Sequence, residues 1–383
     1  MPLELALTTE GRTDLFVPPL SLVSRAPATH PVFFNPAART NRDVSVAVAA
    51  ATRPRTYLDA LAGIGARGVR VAKETPAGTH VTLVDFNVAS LAVARKNVKR
   101  NEVGEASTVV HSEANRFLFS RFEKQDKFDA IDIDPFGSPA PFTLAATVAA
   151  ADGCVVSMTA TDAAVLCGVY PEVSRRRYGA SAVRSDFVHE TGLRLLLGFA
   201  ARMGGVNDIG IEPVAAHSTL HYLRVFFRVR RGAAKADESA RRVGFVTQCN
   251  ECGSRSSGAL ALERCPSCEK RVRSAGPLWT GRMVDEEIVA GALRHSEKEG
   301  WKEAAGALGE LRGLDRYPPF SYSPERVSSR LRIPSVSNRG ALEALAGLGF
   351  AAANSPFEPM GIKTNAGYAD FVSALRVASR KTA

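Results

Sequence analysis

The chain has 383 residues, 45% hydrophobic and 23% charged, enough for two or three domains around a sizeable core. No apolar stretch nears the length of a membrane-spanning helix, and Met1-Pro2-Leu3-Glu4-Leu5 shows no basic region followed by an apolar core, so a membrane protein is excluded and a cytoplasmic location is expected. The formal charge of +10 at pH 7 favours an acidic partner, of which nucleic acid is the commonest.

Residues 1 to about 30 are predicted to form a hairpin arm that turns at Thr9-Glu10-Gly11-Arg12. A loop with Phe33-Phe34-Asn35-Pro36 and Asn41-Arg42-Asp43 follows, and its paired rings either border a pocket or anchor the arm. Val44 to Ala51 reads as a helix and Thr56 to Ala62 as a short strand. Gly63-Ile64-Gly65-Ala66-Arg67-Gly68 comes next, with a helix starting over Val69 to Glu74. This matches G-x-G-x-x-G, in which glycines let backbone and ligand approach closely. A second strand, Thr79 to Val84, ends in Asp85. It lies about twenty residues past the glycines, where an acid grips ribose hydroxyls in nucleotide-binding folds. Further strands are read at Ser107 to His111, Phe128 to Ile133 and Cys154 to Met158, the first followed by Ser112-Glu113-Ala114 and the last by Thr159-Ala160-Thr161-Asp162. Strands alternating with helices predict an α/β fold with a doubly wound sheet. Phe187 to Met203 reads as a helix stopped at Gly204-Gly205, with His189 and Glu190 either catalytic or, the favoured reading, a pair on its surface. Ile209 to Ile211 and Tyr222 to Val229 are expected to close the sheet.

Asp59, Asp85, Glu113 and Asp134 then stand along the edge where open α/β sheets bind their ligands. A dinucleotide needs its pyrophosphate on a helix N-terminus. S-adenosylmethionine has no phosphate, but it offers a ribose, an adenine and a carboxylate that an arginine can clamp. Arg67 within the glycine loop favours the second cofactor over NAD, and so does the stretch after the fourth strand.

That stretch is Asp132-Ile133-Asp134-Pro135-Phe136-Gly137-Ser138-Pro139. As a strand-ending turn it would be ordinary, since Asp-Pro and Gly-Ser-Pro are turn sequences. A turn does not call for two acids beside an apolar strand. A flat ring bearing an amino group does: the Asp134 carboxylate and the carbonyl preceding Pro135 can accept from the NH2, and Phe136 can stack on the ring.

Four of the six cysteines fall as Cys249-x2-Cys252, twelve residues, Cys265-x2-Cys268, the spacing of two metal-binding turns that together form a tetrahedral S4 zinc site. Four thiolates leave no open position, so the zinc is expected to be structural. Cys154 and Cys167 read as buried, with no base nearby to make either a nucleophile. Arg224 to Arg273 carries twelve Lys or Arg against five Asp or Glu, a local +7, and Arg175-Arg176-Arg177 is a second basic cluster. Beyond residue 280 the chain is α-rich. Ser323 caps a helix with Pro324 at its first position, Asn338 caps another that ends at Gly349, and Phe350 to Ile362 reads as a hairpin, a winged-helix-like order. The expected domains are 1–230 with the sheet and the arm, 231–279 as a zinc ribbon, and 280–383 as a smaller α+β domain that binds RNA.

Phe33-Phe34-Asn35-Pro36, Asn41-Arg42-Asp43, Gly65-Ala66-Arg67-Gly68, Asp134-Pro135-Phe136-Gly137-Ser138-Pro139 and Thr159-Ala160-Thr161-Asp162 together resemble the tRNA guanine-26 N2-dimethyltransferases of archaea and eukaryotes. The resemblance covers nearly the whole chain and is densest from Val32 to His221. It implies a Rossmann-like class I methyltransferase sheet, S-adenosylmethionine as methyl donor and tRNA as partner; no obligate protein partner is evident. It also implies that Arg42, Arg67, Asp85, Glu113 and Ala114 contact the cofactor, and that Phe33, Asp134, Pro135 and Phe136 form the guanine pocket. Family members commonly have Asp where Glu113 stands, which keeps the carboxylate one methylene further out. Only some of them carry the four cysteines, so the zinc rests on the spacing in this chain. A DNA or protein amino-methyltransferase, and a non-catalytic RNA-binding protein with a relic cofactor fold, are the alternatives.

Overall fold

The computed structural model describes residues 3–24, 31–219 and 222–382. The chain opens with an antiparallel hairpin, β1 (Ala6–Glu10) and β2 (Thr13–Val17), turning at Gly11 as predicted. The last part of the expected arm, 25–30, lies outside the described residues. Helix α1 (Arg39–Thr52) is longer than expected. There follow β3 (Thr56–Asp59), α2 (Ala66–Glu74), β4 (His80–Asp85), α3 (Val88–Arg100), β5 (Ser107–His111), α4 (Ala114–Glu123), β6 (Phe128–Ile133), α5 (Ala140–Ala149) and β7 (Ala150–Ala160). Two short helices, α6 (Ala163–Leu166) and α7 (Pro171–Tyr178), lead to the long α8 (Val188–Gly205) and the antiparallel pair β8 (Ile209–Ser218) and β9 (Leu223–Arg231).

These strands form one seven-stranded sheet in the order β5-β4-β3-β6-β7-β9-β8. The first five are parallel, and β9 runs antiparallel to both neighbours. Inner parallel strands are covered on both faces, so apolar side chains are buried on both. Leu58, Leu83, Val84, Ile131, Ile133, Val156 and Met158 accordingly have no exposed surface. The hairpin packs through Leu15 and Val17 on Phe34, Ile64 and Val93, which sets it beside the glycine loop. A buried ion network locks it there: Glu10 accepts from Arg42 at 2.7 and 2.5 Å, and Arg70 bridges Asp43 at 2.6 Å and Glu74 at 3.0 Å.

After α9 (Ala233–Ala240), strands β10 (Val243–Gln248), β11 (Arg255–Gly258) and β12 (Ser274–Trp279) form a small sheet in the order β11-β10-β12. Leu278 and Trp279 of β12 enter the main core. The expected boundary at residue 280 precedes α10 (Glu286–Lys298) and α11 (Lys302–Leu311), yet both pack on α1 within that same core. A second core opens at Tyr322 and holds α12 (Pro324–Leu331), α13 (Asn338–Gly347), the hairpin β13 (Ala352–Asn354) and β14 (Ile362–Thr364), and α14 (Tyr368–Thr382). Ser323 caps α12 as expected, but α13 is capped by Ser337, not Asn338: its hydroxyl accepts from Gly340 N–H at 3.1 Å.

His189 and Glu190 are not a surface pair. Glu190 has no exposed surface and accepts from Arg194 at 3.0 Å, Lys363 at 3.1 and 3.2 Å, and the Phe320 N–H at 2.9 Å. His189 Nδ1 lies 2.9 Å from Glu358. Both residues pin the C-terminal core to α8. Despite its burial, Glu190 is drawn down to about 2 by Lys363 and Arg194. Its folded value lies below its unfolded one, so its contribution is present above the ordinary carboxylate range and fades as pH falls toward 2. Glu190→Ala would leave Lys363 and Arg194 buried without their acid, and a loss of about 3–5 kcal/mol is expected. Denaturant unfolding at pH 7 checks this, with the C-terminal core becoming protease-sensitive first.

Candidate active site and metal centre

The order β5-β4-β3-β6 places Glu113, Asp85, Asp59 and Asp134 successively along the carboxyl edge. The glycine loop lies over it. Gly63 and Gly65 have φ of +54° and +77°, which side chains rarely adopt, and a Cβ on Gly63 would meet only open space. The Asp85 carboxylate accepts from Gly63 N–H at 2.7 Å and from Asn87 N–H at 2.8 Å, so it is fixed beside that opening. A carboxylate has about four lone-pair sites, and those left over suit ribose hydroxyls. The next residue, Phe86, is 67% exposed and offers a ring face to a nucleobase. Glu113 is the N-cap of α4, accepting from Asn115 and Arg116 N–H at 2.9 and 2.8 Å, and Ala114 is the first residue of that helix. A pocket of about 510 Å³ runs from Glu113 along the end of β5 and α4, lined by His111, Ser112, Arg116, Ser120 and Arg121, and does not include Asp85 or the glycine loop. An acid, an exposed ring and an open glycine turn fit a nucleoside-bearing cofactor such as S-adenosylmethionine.

Arg42 and Arg67 are both buried and both engaged. Arg42 is closed by Glu10 and by the Asn35 carbonyl at 3.0 Å. Arg67 enters the cluster that ties the sheet to α1. Its guanidinium meets Asp132 at 3.3 Å, Asn41 Oδ1 at 2.8 Å, the Ser45 hydroxyl and the Asp134 carboxylate. Asp132 has no exposed surface and is held from its other side by Arg224 and by the Tyr57 hydroxyl at 3.2 Å. Burial, and after it the charge of Asp132, pushes the Asp59 carboxyl up to about 7.

Asp134 is the open end of this cluster, its side chain 27% exposed. Phe136 is 67% exposed and lies edge-on to Phe33, with ring centroids 4.7 Å apart. Of the two adjacent aromatics, Phe34 is buried against the arm, whereas Phe33 meets Phe136. The loop between is tethered to the strand end beside it. Gly137, at φ +83°, donates its N–H to the Thr161 hydroxyl at 2.7 Å and accepts from Thr161 N–H at 2.8 Å. The Ser138 hydroxyl donates to Tyr178 at 2.6 Å, and Tyr178 donates to Asp162 at 2.8 Å.

The four cysteine sulfurs lie within 4.8 Å of one another, with Cys249 to Cys268 and Cys252 to Cys265 both at 3.6 Å. Zn–S bonds of about 2.3 Å give tetrahedral edges of about 3.8 Å, so the cluster fits zinc. Both turns carry a backbone bond around the sulfurs, Gly253 N–H to the Cys249 carbonyl and Glu269 N–H to the Cys265 carbonyl, each at 2.9 Å. Cys154 is buried in β7 as expected, whereas Cys167 is only partly buried. Part of the expected +7 is engaged within the fold: Arg224 is buried on β9, Arg228 and Arg230 pair with Glu212, and Arg255 lies on the Tyr322 ring at 3.5 Å, whereas Arg241, Arg242, Arg264, Lys270, Arg271 and Arg273 are exposed.

The family model described as N2,N2-dimethylguanosine tRNA methyltransferase matches residues 11–376. The chain belongs to this family. It is 35% identical over 378 residues to the tRNA (guanine(26)-N(2))-dimethyltransferase of Methanopyrus kandleri, covering 97% of each chain. To that of Pyrococcus abyssi it is 33% identical, covering 97% of this chain and 99% of the other. It superimposes on the solved structure of Trm1 from Pyrococcus horikoshii with S-adenosyl-L-methionine at a TM-score of 0.85 and 32% identity, over 97% of this chain and 99% of that one.

In this dimethyltransferase the residues that the sequence reading did not reach are Asp132, Arg224, Tyr57 and Asn41, which aim the predicted ones. Asp132 carried a signal, being an acid inside an apolar strand, but its partner Arg224 is 92 residues away and looked like one more surface charge. Of the two residues that hold the Phe136 loop, Asp162 stood in the Thr159-Ala160-Thr161-Asp162 motif without a role, and Tyr178 carried no signal.

The metal centre leads to a direct expectation. Protein purified without chelator should contain one zinc per chain, and Cys265→Ser should lose it. Because Arg255 follows the first cysteine turn and stacks on Tyr322, loss of zinc should free that arginine. Amides of β10 and β11 should then exchange faster while those of β3, β4 and β6 stay protected.

Proposed function

We propose that this chain transfers methyl groups from S-adenosylmethionine to the exocyclic N2 of guanine 26 in tRNA, giving the mono- and then the dimethylated base. One observation carries the reading. Among the described residues, Asp134 is the carboxylate of the buried cluster that reaches the surface, and it does so beside the Phe33–Phe136 ring pair.

Bound S-adenosylmethionine supplies an electrophilic methyl group. The residues around it bind, aim and take protons. Asp85 accepts from the ribose hydroxyls, and Glu113, with Ala114 behind it, accepts from the adenine amine. Arg42 and Arg67 border the same site. Guanine N2 is a weak nucleophile because its lone pair is delocalised into the ring. Acceptors on its hydrogens localise that pair and point it at the methyl. The Asp134 carboxylate is one acceptor. The Asp134–Pro135 peptide is the other, since proline has no N–H and only the carbonyl remains to interact. Arg67 holds one Asp134 oxygen, which fixes the direction of the other. Phe136, the exposed ring, stacks on the base, and Phe33 braces Phe136 edge-on. The Asp134 carboxylate takes the proton that the amine sheds. Positioning carries most of the rate, as in other in-line transfers. After the first transfer one N–H remains, and a single acceptor still aims it. Guanine 26 has to leave its stack to reach the pocket.

The zinc ribbon and the C-terminal core are proposed to grip the tRNA body, the helix–helix–hairpin order of the latter being winged-helix-like. Among the described residues no helix is long and apolar enough to cross a membrane, and tRNA as substrate supports a cytoplasmic location.

Nucleoside mass spectrometry of a tRNA transcript incubated with protein and S-adenosylmethionine tests the assignment. N2-methylated guanosine is expected, and it should disappear when position 26 is adenosine. Methylation elsewhere on the ring, or none, overturns it. Asp134→Ala should lower the rate at least a thousandfold (about 4 kcal/mol, the scale of a lost preorganised acceptor) with cofactor affinity within twofold of wild type.

A further inference from the structure

The basic run Arg175-Arg176-Arg177 has no place in the mechanism above, and its position in the fold suggests one. It forms the last turn of α7, and all three side chains are exposed. A cation near a helix C-terminus is stabilising, but one or two satisfy that end. Arg175 pairs with Glu172 at 3.0 Å and Arg177 with Asp162 at 2.7 Å. Arg176 has no acid partner among the described residues. Tyr170, at the other end of the same helix, is 56% exposed.

The helix is also wired to the catalytic loop. Tyr178, the residue after the run, bonds to Ser138 at 2.6 Å and to Asp162 at 2.8 Å. Arg177 grips the same Asp162 carboxylate. Asp162 in turn donates its backbone N–H to the Gly137 carbonyl at 3.2 Å. The last turn of α7 therefore stands two side chains from Phe136, on the rim of the base pocket.

We propose that α7 is a docking surface for the tRNA backbone next to the extruded guanine, with Arg175 and Arg176 on phosphates and Tyr170 against an unstacked base or sugar. The proposal rests on the tRNA reading given above and adds the surface that seats the strand. Cationic side chains interleaved with an exposed ring are what a single-stranded backbone needs. A base swung from its stack leaves its flanking phosphates in that state. Asp162 keeps Arg177 and Tyr178 turned toward the loop, so that the cations left to the RNA are Arg175 and Arg176.

The test is tRNA binding by Arg175→Gln/Arg176→Gln as a function of salt, beside a charge-matched control, Arg95→Gln/Lys96→Gln on the exposed side of α3. The double variant should bind tRNA 10- to 100-fold more weakly, and its log–log salt slope should fall by roughly 0.7 for each single-strand phosphate no longer neutralised. S-adenosylmethionine affinity should not change, and the control should keep wild-type binding. Wild-type affinity and slope in the α7 variant, or equal losses in both, would overturn the proposal and leave a net-charge effect. If the wild-type protein itself fails to bind tRNA, the functional reading is at fault and not the α7 surface.

Discussion

Everything at the catalytic edge depends on Asp132, a carboxylate with no exposed surface, held between two guanidiniums. An unpaired charge at that depth would cost several kcal/mol, so Arg67 and Arg224 must both be in place whenever the sheet is folded. The two arginines come from opposite sides. Arg224 arrives on β9 and Arg67 on the first turn of α2. Satisfying Asp132 thus brings the antiparallel end of the sheet and the glycine loop together. Once Arg67 is fixed by Asp132, Asn41 and Ser45, its remaining amino group has one direction left, toward Asp134. The orientation of the surface carboxylate follows from the burial of another one.

The two ion networks divide the work. Glu10, Arg42, Asp43, Arg70 and Glu74 fasten the N-terminal hairpin and α1 to α2, which sets Phe33 at the rim. Asp132, Arg67 and Arg224 fix the floor. Phe33 and Phe136 meet across the gap from segments about a hundred residues apart in sequence, so neither wall of the base pocket is formed until both networks are. A third ion cluster, centred on Glu190, holds the C-terminal core, and Arg255 on Tyr322 joins the ribbon to it.

What was legible in the sequence follows the same physics. Ser107–His111 and Phe128–Ile133 were readable to the residue, because short runs rich in β-branched and apolar residues are bounded on each side by charged and turn residues. The strand-end acids, the glycine loop and the cysteine pairs were readable because backbone geometry and metal chemistry dictate local spacing. Charges with distant partners were not. Glu190 meets Lys363 across 173 residues, so a buried tie looked like a surface helix residue. The local +7 was legible only in part for the same reason, since Arg224, Arg228, Arg230 and Arg255 are spent on Asp132, Glu212 and Tyr322 while the cations beside the cysteine turns stay exposed. Arg67 was assigned to the cofactor, as a clamp for its carboxylate and by resemblance, and only the fold brings Asp132 and Asp134 against it. The placement of α10 and α11 in the main core is likewise invisible in their periodicity, because an amphipathic stripe does not say which core it faces.

The coupling between Arg67 and Asp134 is the point on which the mechanism turns, and a double-mutant cycle measures it directly. Single-turnover methyl transfer to tRNA would be followed for wild type, Arg67→Met, Asp134→Ala and the double variant, each saturated with S-adenosylmethionine. If Arg67 acts on the amine through the carboxylate, its loss should slow the wild type strongly and the Asp134→Ala protein hardly at all. Rate losses that simply multiply would mean that the two residues act independently, and would contradict a carboxylate aimed by the buried cluster beneath it.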